Sequence, residues 1–228
     1  MKMDQTSTGI SIQVSLSGYS FKLYNDGKVS SSGWLGADRI FNTPELQKRY
    51  DEVEISLLTP KVALVPIHFF DPSSARLMLG EVVSLRDADA VEYVEVPYLG
   101  AVLIYSNSMD ESLSRAVSQI VRTSSGDTVR VLPEMYYILK ELSDGAEYNK
   151  ILASYADGYL HLAVAQGKSL LLANVFEAAD FTTAEYFIFM VLKKLQLNPE
   201  LTTIRFRTPL ESEQEMSLYR YFKSVESV

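Results

Sequence analysis

Two histidines and no cysteine set the limits of the chemistry that this chain of 228 residues can host. Without a thiol there is no thiolate nucleophile, no disulfide and no Cys-ligated zinc. His68 and His161 stand 93 positions apart, each inside an apolar strand-like run, and a metal would need carboxylate partners that the neighbouring sequence does not offer. Both read as structural histidines with satisfied ring nitrogens. Thr123-Ser124-Ser125-Gly126 supplies hydroxyls, but no motif places a His or Lys base beside them, so it reads as a solvated loop. Asp87-Ala88-Asp89 lies in a polar connection. Glu92 and Glu95 stand three apart on a strand and would face opposite sides of a sheet, which rules out a carboxylate pair.

The elements that would position these residues follow from composition and pattern. Hydrophobic residues make up 47% of the chain and charged residues 22%, as in a soluble globular protein of one large or two ordinary domains. Lys and Arg number 21 against 29 Asp and Glu, a formal charge of −8, and no basic run is present to neutralise a phosphate backbone. Nucleic acid is not an expected partner. Met1–Thr6 lacks the apolar segment of a signal peptide, and the longest apolar run, near Tyr186–Leu192, falls far short of the roughly 20 residues that span a bilayer. A cytoplasmic location is expected. The chain is rich in aromatics, with 14 Tyr and 10 Phe; most suit a core, while Tyr219, Tyr221 and Phe222, pointing several ways around a short helix, suit an interface.

Two stretches share one residue grammar at a fixed offset. Ile12–Trp34 reads strand, Ser17-Gly18-Tyr19, strand, Asp26-Gly27-Lys28, strand; Leu152–Phe176 reads strand, Asp157-Gly158-Tyr159, strand, Gln166-Gly167-Lys168, strand. Gly18 and Gly158 lie 140 apart, as do Gly27 and Gly167, Phe41 and Phe181, and Glu45 and Glu185. The pattern predicts an internal duplication, each copy a three-stranded meander feeding a helix, with the first two strands of the first copy half-buried. Asn42-Thr43-Pro44-Glu45 predicts a surface helix over Glu45–Tyr50, and Thr182-Thr183-Ala184-Glu185 a capping box before an apolar, enclosed helix. Between the copies the pattern predicts strands at Val53–Leu58, Val62–Val65, Glu92–Val96, Ala101–Tyr105 and Thr128–Leu132. Helices are predicted after Asp71-Pro72, at Asp110–Val121 with Leu113 on its apolar face, and at Pro133–Leu142. After the second copy come a strand at Thr202–Phe206, a helix at Glu211–Lys223 and a strand near Val225–Val228. Ser143-Asp144-Gly145-Ala146 is the natural boundary, giving units 1–145 and 146–228.

A meander followed by a helix and parallel strands, occurring twice, resembles the actin-like ATPase fold of two ribonuclease-H-like halves. Ser154-Tyr155-Ala156-Asp157-Gly158-Tyr159 is similar to the second phosphate loop of that superfamily, Asp-x-Gly-x-Gly. Lys61-Val62-Ala63-Leu64-Val65-Pro66 and the Tyr155–Lys168 hairpin resemble a Bacteroides-group bacterial family with an actin-like ATPase fold. The order of elements is more distantly similar to the actin-like cytoplasmic proteins of type IV pilus assembly and type II secretion. The resemblance implies an α/β fold in which each half opens with an antiparallel meander joined to a mixed sheet flanked by helices, the second half being abbreviated. No Gly follows Phe206, whereas catalytic members carry an adenosine-binding Gly-Gly stretch there.

In that superfamily an Asp ending the first strand of each half directs the hydrated magnesium that bridges two phosphates. Here Val14, or Ser15 if the register slips by one, takes the first position and Ser154 the second, while the loop glycines become Leu16 and Ala156. Ser17, Gly18, Ser154, Asp157 and Gly158 are thus the remnants of two degenerate phosphate loops. Neither a nucleotide nor a metal is expected to bind, and no catalytic residue is assigned. The implied function is a non-catalytic scaffold or interaction module with another protein as partner. The alternative is a divergent ATPase or kinase whose metal ligands are rewired to Asp71 and Asp157; each of these reads more simply as a cap or turn residue. A ribonuclease-H-like nuclease would need a carboxylate cluster, and Ile10–Leu16 contains none.

Overall fold

A computed structural model describes residues 8–108 and 111–228, with the side chains of 111–115 also outside the description. Met1–Thr6, Asp110 and the Leu113 side chain therefore lie outside the described residues.

The chain opens with β1 (Gly9–Val14), β2 (Gly18–Asn25) and β3 (Lys28–Ser31), an antiparallel meander. Asp26 and Gly27, at φ of +47° and +74°, form the β2–β3 turn with the two left-handed residues that a tight hairpin requires. Gly18 is needed for close approach: it pairs with Gly36 of β4 (Leu35–Gly36), and a Cβ on it would stand 2.0 Å from the Leu35 carbonyl oxygen. After β5 (Arg49–Tyr50) and β6 (Glu52–Leu57) come β7 (Val62–Pro66), α1 (Ala75–Gly80), β8 (Val91–Val96) and β9 (Ala101–Ser106). Strands β7, β9 and β8 pair antiparallel as a separate small sheet. Then follow α2 (Glu111–Ile120), β10 (Arg122–Thr123), β11 (Val131–Pro133) and α3 (Glu134–Asp144).

A second meander, β12 (Asn149–Ala156), β13 (Tyr159–Gln166) and β14 (Ser169–Glu177), leads into α4 (Phe181–Lys194), β15 (Thr203–Phe206), α5 (Ser212–Tyr219) and β16 (Ser224–Ser227). One large sheet runs β11-β6-β1-β2-β3 and the other β16-β15-β12-β13-β14. In both, the meander strands pair antiparallel and the two strands beyond its first member are parallel to it. The architecture is a mixed α/β fold.

Each large sheet has one apolar outer face. Ile10, Ile12 and Val14 pack with Ile40, Leu46, Val117 and Val121. Ile151, Ala153, Leu160 and Leu162 pack with Ile188 of α4 and Leu218 of α5. Helix α3 joins the two sheets on their other faces, with Met135, Ile138, Leu139 and Leu142 packed with Leu152 and Ala163 while the Tyr137 hydroxyl donates to the Ile55 carbonyl. Burying one such aliphatic side chain contributes roughly 1.5–3 kcal/mol, so α3 is a substantial part of what holds the sheets together.

Several expectations are corrected. Glu45–Tyr50 is no helix: a single 3-10 turn at Pro44–Gln47 ends at Lys48, because Arg49 and Tyr50 are drawn into parallel pairing with β10 and Tyr50 is buried. Thr128–Leu132 shortens to β11. Helix α4 is capped by Asp180, whose carboxylate accepts from the Thr183 amide at 2.7 Å, rather than by Thr182. The reciprocal capping box belongs to α5, between Glu211 and Gln214. Nor is α4 enclosed, since Tyr186 is 63% exposed and only Ala184, Ile188, Val191 and Leu192 are buried. β1 is buried on both faces, not half-buried, because its Ser11 and Gln13 face points into the molecule. His68 sits exposed in a 3-10 turn after β7, outside any strand. Of the C-terminal aromatics, Tyr219 and Tyr221 are exposed, while Phe222 is core and stacks on Phe189.

Candidate functional site

The inner faces of the two sheets carry the polar residues. On β1 and β2, Gln13 pairs with Ser20 and Ser11 with Lys22; on β12 and β13, Ser154 pairs with His161. Alternation places all of these opposite the apolar outer faces. Between them Pro133 ends β11, and the chain turns at once into α3 with Glu134 as its first residue. Glu134 is fully buried. Its Oε1 accepts from Gln13 Nε2 at 2.8 Å, Ser154 Oγ at 2.6 Å and Arg207 Nε at 2.9 Å. Arg207 follows β15, its amide continuing the ladder to the Ala153 carbonyl, and its side chain is 6% exposed. Two turns along α3, Glu141 takes another guanidinium nitrogen, and the guanidinium lies 5.4 Å from the centre of the Tyr137 ring.

Burial alone would raise the Glu134 pKa. The Arg207 charge and the hydroxyls of Ser154 and Ser56 outweigh it and hold the carboxyl below the usual carboxylate range. Glu134 is therefore ionised, and it ties β1, α3, β12 and the segment after β15 into one buried unit. Lys22 adds a second tie between the sheets, donating to the carbonyls of Arg207 and Val228. Burial and the neighbouring Arg207 lower its pKa to about 8, against a smaller opposing pull from Glu134. His161 is fully buried beside this network with neither ring nitrogen hydrogen-bonded among the described residues, a correction to its reading as a satisfied histidine. Desolvation takes its pKa down to about 4, against the pull of the Glu134 charge.

The residues that the sequence resemblance assigns to phosphate loops divide into two groups. Ser154 belongs to the buried network, and Val14, at the matching position of β1, is sealed in the outer core. At the rim, the Ser17 amide donates to the Asp157 carboxylate at 3.0 Å, and the Trp34 indole donates to the Ser17 hydroxyl at 3.3 Å. Ser17 and Asp157 are 140 residues apart, the same separation as Gly18 and Gly158, and the turns that carry them meet at the rim. Asp157 and Gly158, at φ of +51° and +77°, form the β12–β13 turn, and the Gly158 carbonyl accepts from the Ala178 amide. Asp157 thus serves as a turn residue and as the acceptor for the opposite loop. An Asp157→Gly variant keeps the turn and loses that acceptor; we expect it to lower stability by about 1 kcal/mol. Asp157→Val strains the left-handed position as well, and should cost roughly 1–2 kcal/mol more in urea unfolding.

The remaining candidates stay apart from this centre. Asp71 caps its own turn, with both carboxylate oxygens taken by Ser73 and Ser74. Asp89 is buried against Lys61, Glu92 accepts from Tyr105 and Asn107, and the Ser124 hydroxyl donates to Asp51. Among the described residues, no three His, Asp or Glu side chains gather as a metal site would require. Sequence reasoning missed Gln13, Lys22, Glu134 and Arg207. The signal present was a row of polar side chains on one face of β1 and β2, which looks the same whether water or a second sheet covers it.

The fold has solved counterparts. A Bacteroides thetaiotaomicron protein with an actin-like ATPase fold and unknown function superposes with a TM-score of 0.65 at 19% identity, over 98% of this chain and 91% of that one. A structure of the PilM-PilN type IV pilus biogenesis complex matches with a TM-score of 0.52 at 12% identity, over 96% and 88%. The cytoplasmic domain of EpsL, an inner membrane component of the Vibrio cholerae type II secretion system, matches with a TM-score of 0.47 at 11% identity, over 90% and 83%. The two likenesses with TM-scores above 0.5 establish, at these identities, the actin-like ATPase fold and nothing further. No curated protein matches the chain. Among the described residues, no helix is long and apolar enough to cross a membrane. With residues 3–225 matching its profile, the chain belongs to the family described as protein of unknown function (DUF3822).

Proposed function

We propose that this chain is a non-catalytic member of the actin-like ATPase fold, a duplicated frame of units 1–145 and 146–228 that works in the cytoplasm as an interaction or scaffold module for another protein. One observation carries the reading: the first-loop amide at Ser17, the group that would face a phosphate oxygen, donates instead to Asp157 of the opposite loop. An internal carboxylate stands where an anionic ligand would be received. The rest of the site agrees. Magnesium asks for hard oxygen ligands, and the two directing positions hold the isopropyl group of Val14 and a Ser154 hydroxyl already given to Glu134. The buried carboxylate nearby is neutralised by Arg207. These residues do not fit a magnesium nucleotide.

A protein partner is the better fit for such a frame, as PilM, of similar fold, is solved in complex with PilN. Charge and composition leave nucleic acid out of the reading. Calorimetric titration of the protein with Mg-ATP tests the proposal. We expect no saturable heat; submillimolar binding would overturn it in favour of a rewired ATPase or kinase.

A further inference from the structure

Lys150 is 6% exposed, near the start of β12 and far from the loops at the rim. Among the described residues its ammonium has one hydrogen-bond acceptor, the Leu142 carbonyl at 2.8 Å, and no carboxylate within ion-pairing distance. The carbonyl lies in the last turn of α3, the negative end of the helix, which accounts for one of three N–H groups. Two remain without a described partner. A lysine this buried, with one carbonyl as its acceptor, has N–H groups open to a further partner, and buried cations are ordinarily paired. The same Lys150 lines a cavity of about 390 Å³, in the lower part of the roughly 300–1,000 Å³ range of ligand sites. Leu99, Leu139, Leu142, Ala165 and Leu170 form its apolar walls, Tyr98 stands half-exposed beside it, and Lys168 on the β13–β14 turn adds a second positive charge.

We propose that this cavity between the small sheet, α3 and the β13–β14 hairpin binds a small monocarboxylate with an apolar tail, the carboxylate pairing with Lys150 and the tail lying against the leucines. A single carboxylate suits the donor supply. A phosphate dianion would call for more N–H groups than these apolar walls provide. The chain's net charge of −8 opposes any anion at long range, but that field is screened beyond about 8 Å at physiological salt, whereas a buried contact is screened little. The Tyr98 phenol, whose pKa is raised by burial and by neighbouring Tyr136 and Asp144, stays protonated as a hydrogen-bond donor at neutral pH.

Decanoate and its neutral counterpart decan-1-ol, titrated calorimetrically into the intact chain, test the assignment. We expect saturable decanoate binding that is weakened about tenfold or more by Lys150→Met, retained in Lys150→Arg, and abolished when Leu170→Trp fills the cavity. Decanol should bind more weakly than decanoate and be indifferent to Lys150→Met. Circular dichroism identifies any variant that has failed to fold, and the comparison of the two ligands on the unaltered chain is decisive without variants. Equal binding of the two, no saturation by decanoate, or full decanoate affinity in a folded Lys150→Met variant would each overturn the proposal.

Discussion

Glu134→Ala is expected to destabilise the protein by about 3–5 kcal/mol, because it removes the fully buried one of the two carboxylates paired with Arg207 and leaves the buried Gln13 and Ser154 donors without their acceptor. Domains of this kind are stable by only about 5–15 kcal/mol, so this one truncation should consume a large part of the total. Glu141, 30% exposed, keeps its own pairing with Arg207 and so compensates part of the guanidinium charge, but it cannot reach the donors that Gln13 and Ser154 direct at Glu134. The double variant Glu134→Met/Arg207→Met should be far milder than the sum of its parts. It removes both charges at once and fills the space with flexible apolar side chains, leaving mainly Gln13 and Ser154 to find new partners. Urea unfolding of the two single variants and the double variant gives the coupling directly. A single-variant loss under about 1 kcal/mol would mean that water reaches Arg207 and that the network is not the joint between the sheets.

Much of this frame was readable in the residues. Asp26-Gly27 and Asp157-Gly158 announced their hairpins because few residues tolerate left-handed backbone, and all four adopt it. The strands that follow each meander were legible in part, β6 and β15 from their alternating apolar residues, while the expected Thr128–Leu132 strand shortens to β11. The joint was not. Gln13, Ser20 and Lys22 occupy the alternate positions of strands whose other face is apolar, and period-two alternation specifies which side chains share a face without saying what covers it. Glu134 was hidden for a related reason, as an acid after Pro at a helix start is ordinarily a solvated first-turn residue favoured by the helix dipole. Only the return of β15 beside β12 brings Arg207 to it. The segment Glu45–Tyr50 shows the opposite failure: its local helix signals are sound, and pairing with β10, distant in sequence, overrides them. In α4 the run of apolar residues exceeds what the sheet can cover, and Tyr186 is left facing solvent.

His161 sets the response to acid. Its folded pKa is about 4 against an ordinary 6.5, so between these values the unfolded chain binds a proton that the folded one excludes. Stability therefore rises with pH through this window and falls on acidification, by about 3 kcal/mol from pH 7 to pH 4 at roughly 1.4 kcal/mol per unit of displacement. Glu134 acts lower down. Its folded pKa is depressed below the usual 4.5, so the stability it contributes is present above that value and lost only as pH falls through the folded pKa. The windows barely overlap, which makes the histidine separable. In His161→Gln, a side chain of similar reach that does not titrate, urea-derived stability should be nearly flat between pH 6.5 and 4.5 and fall only below. The direct check is proton NMR on a His68→Gln background, which leaves one imidazole signal, with an expected midpoint near pH 4. Adding Glu134→Gln should move that midpoint lower still, because it deletes the nearby negative charge that favours the imidazolium. A midpoint above 6 in the unaltered protein would mean that the ring is solvated or paired, and would remove both the acid sensitivity and its coupling to Glu134.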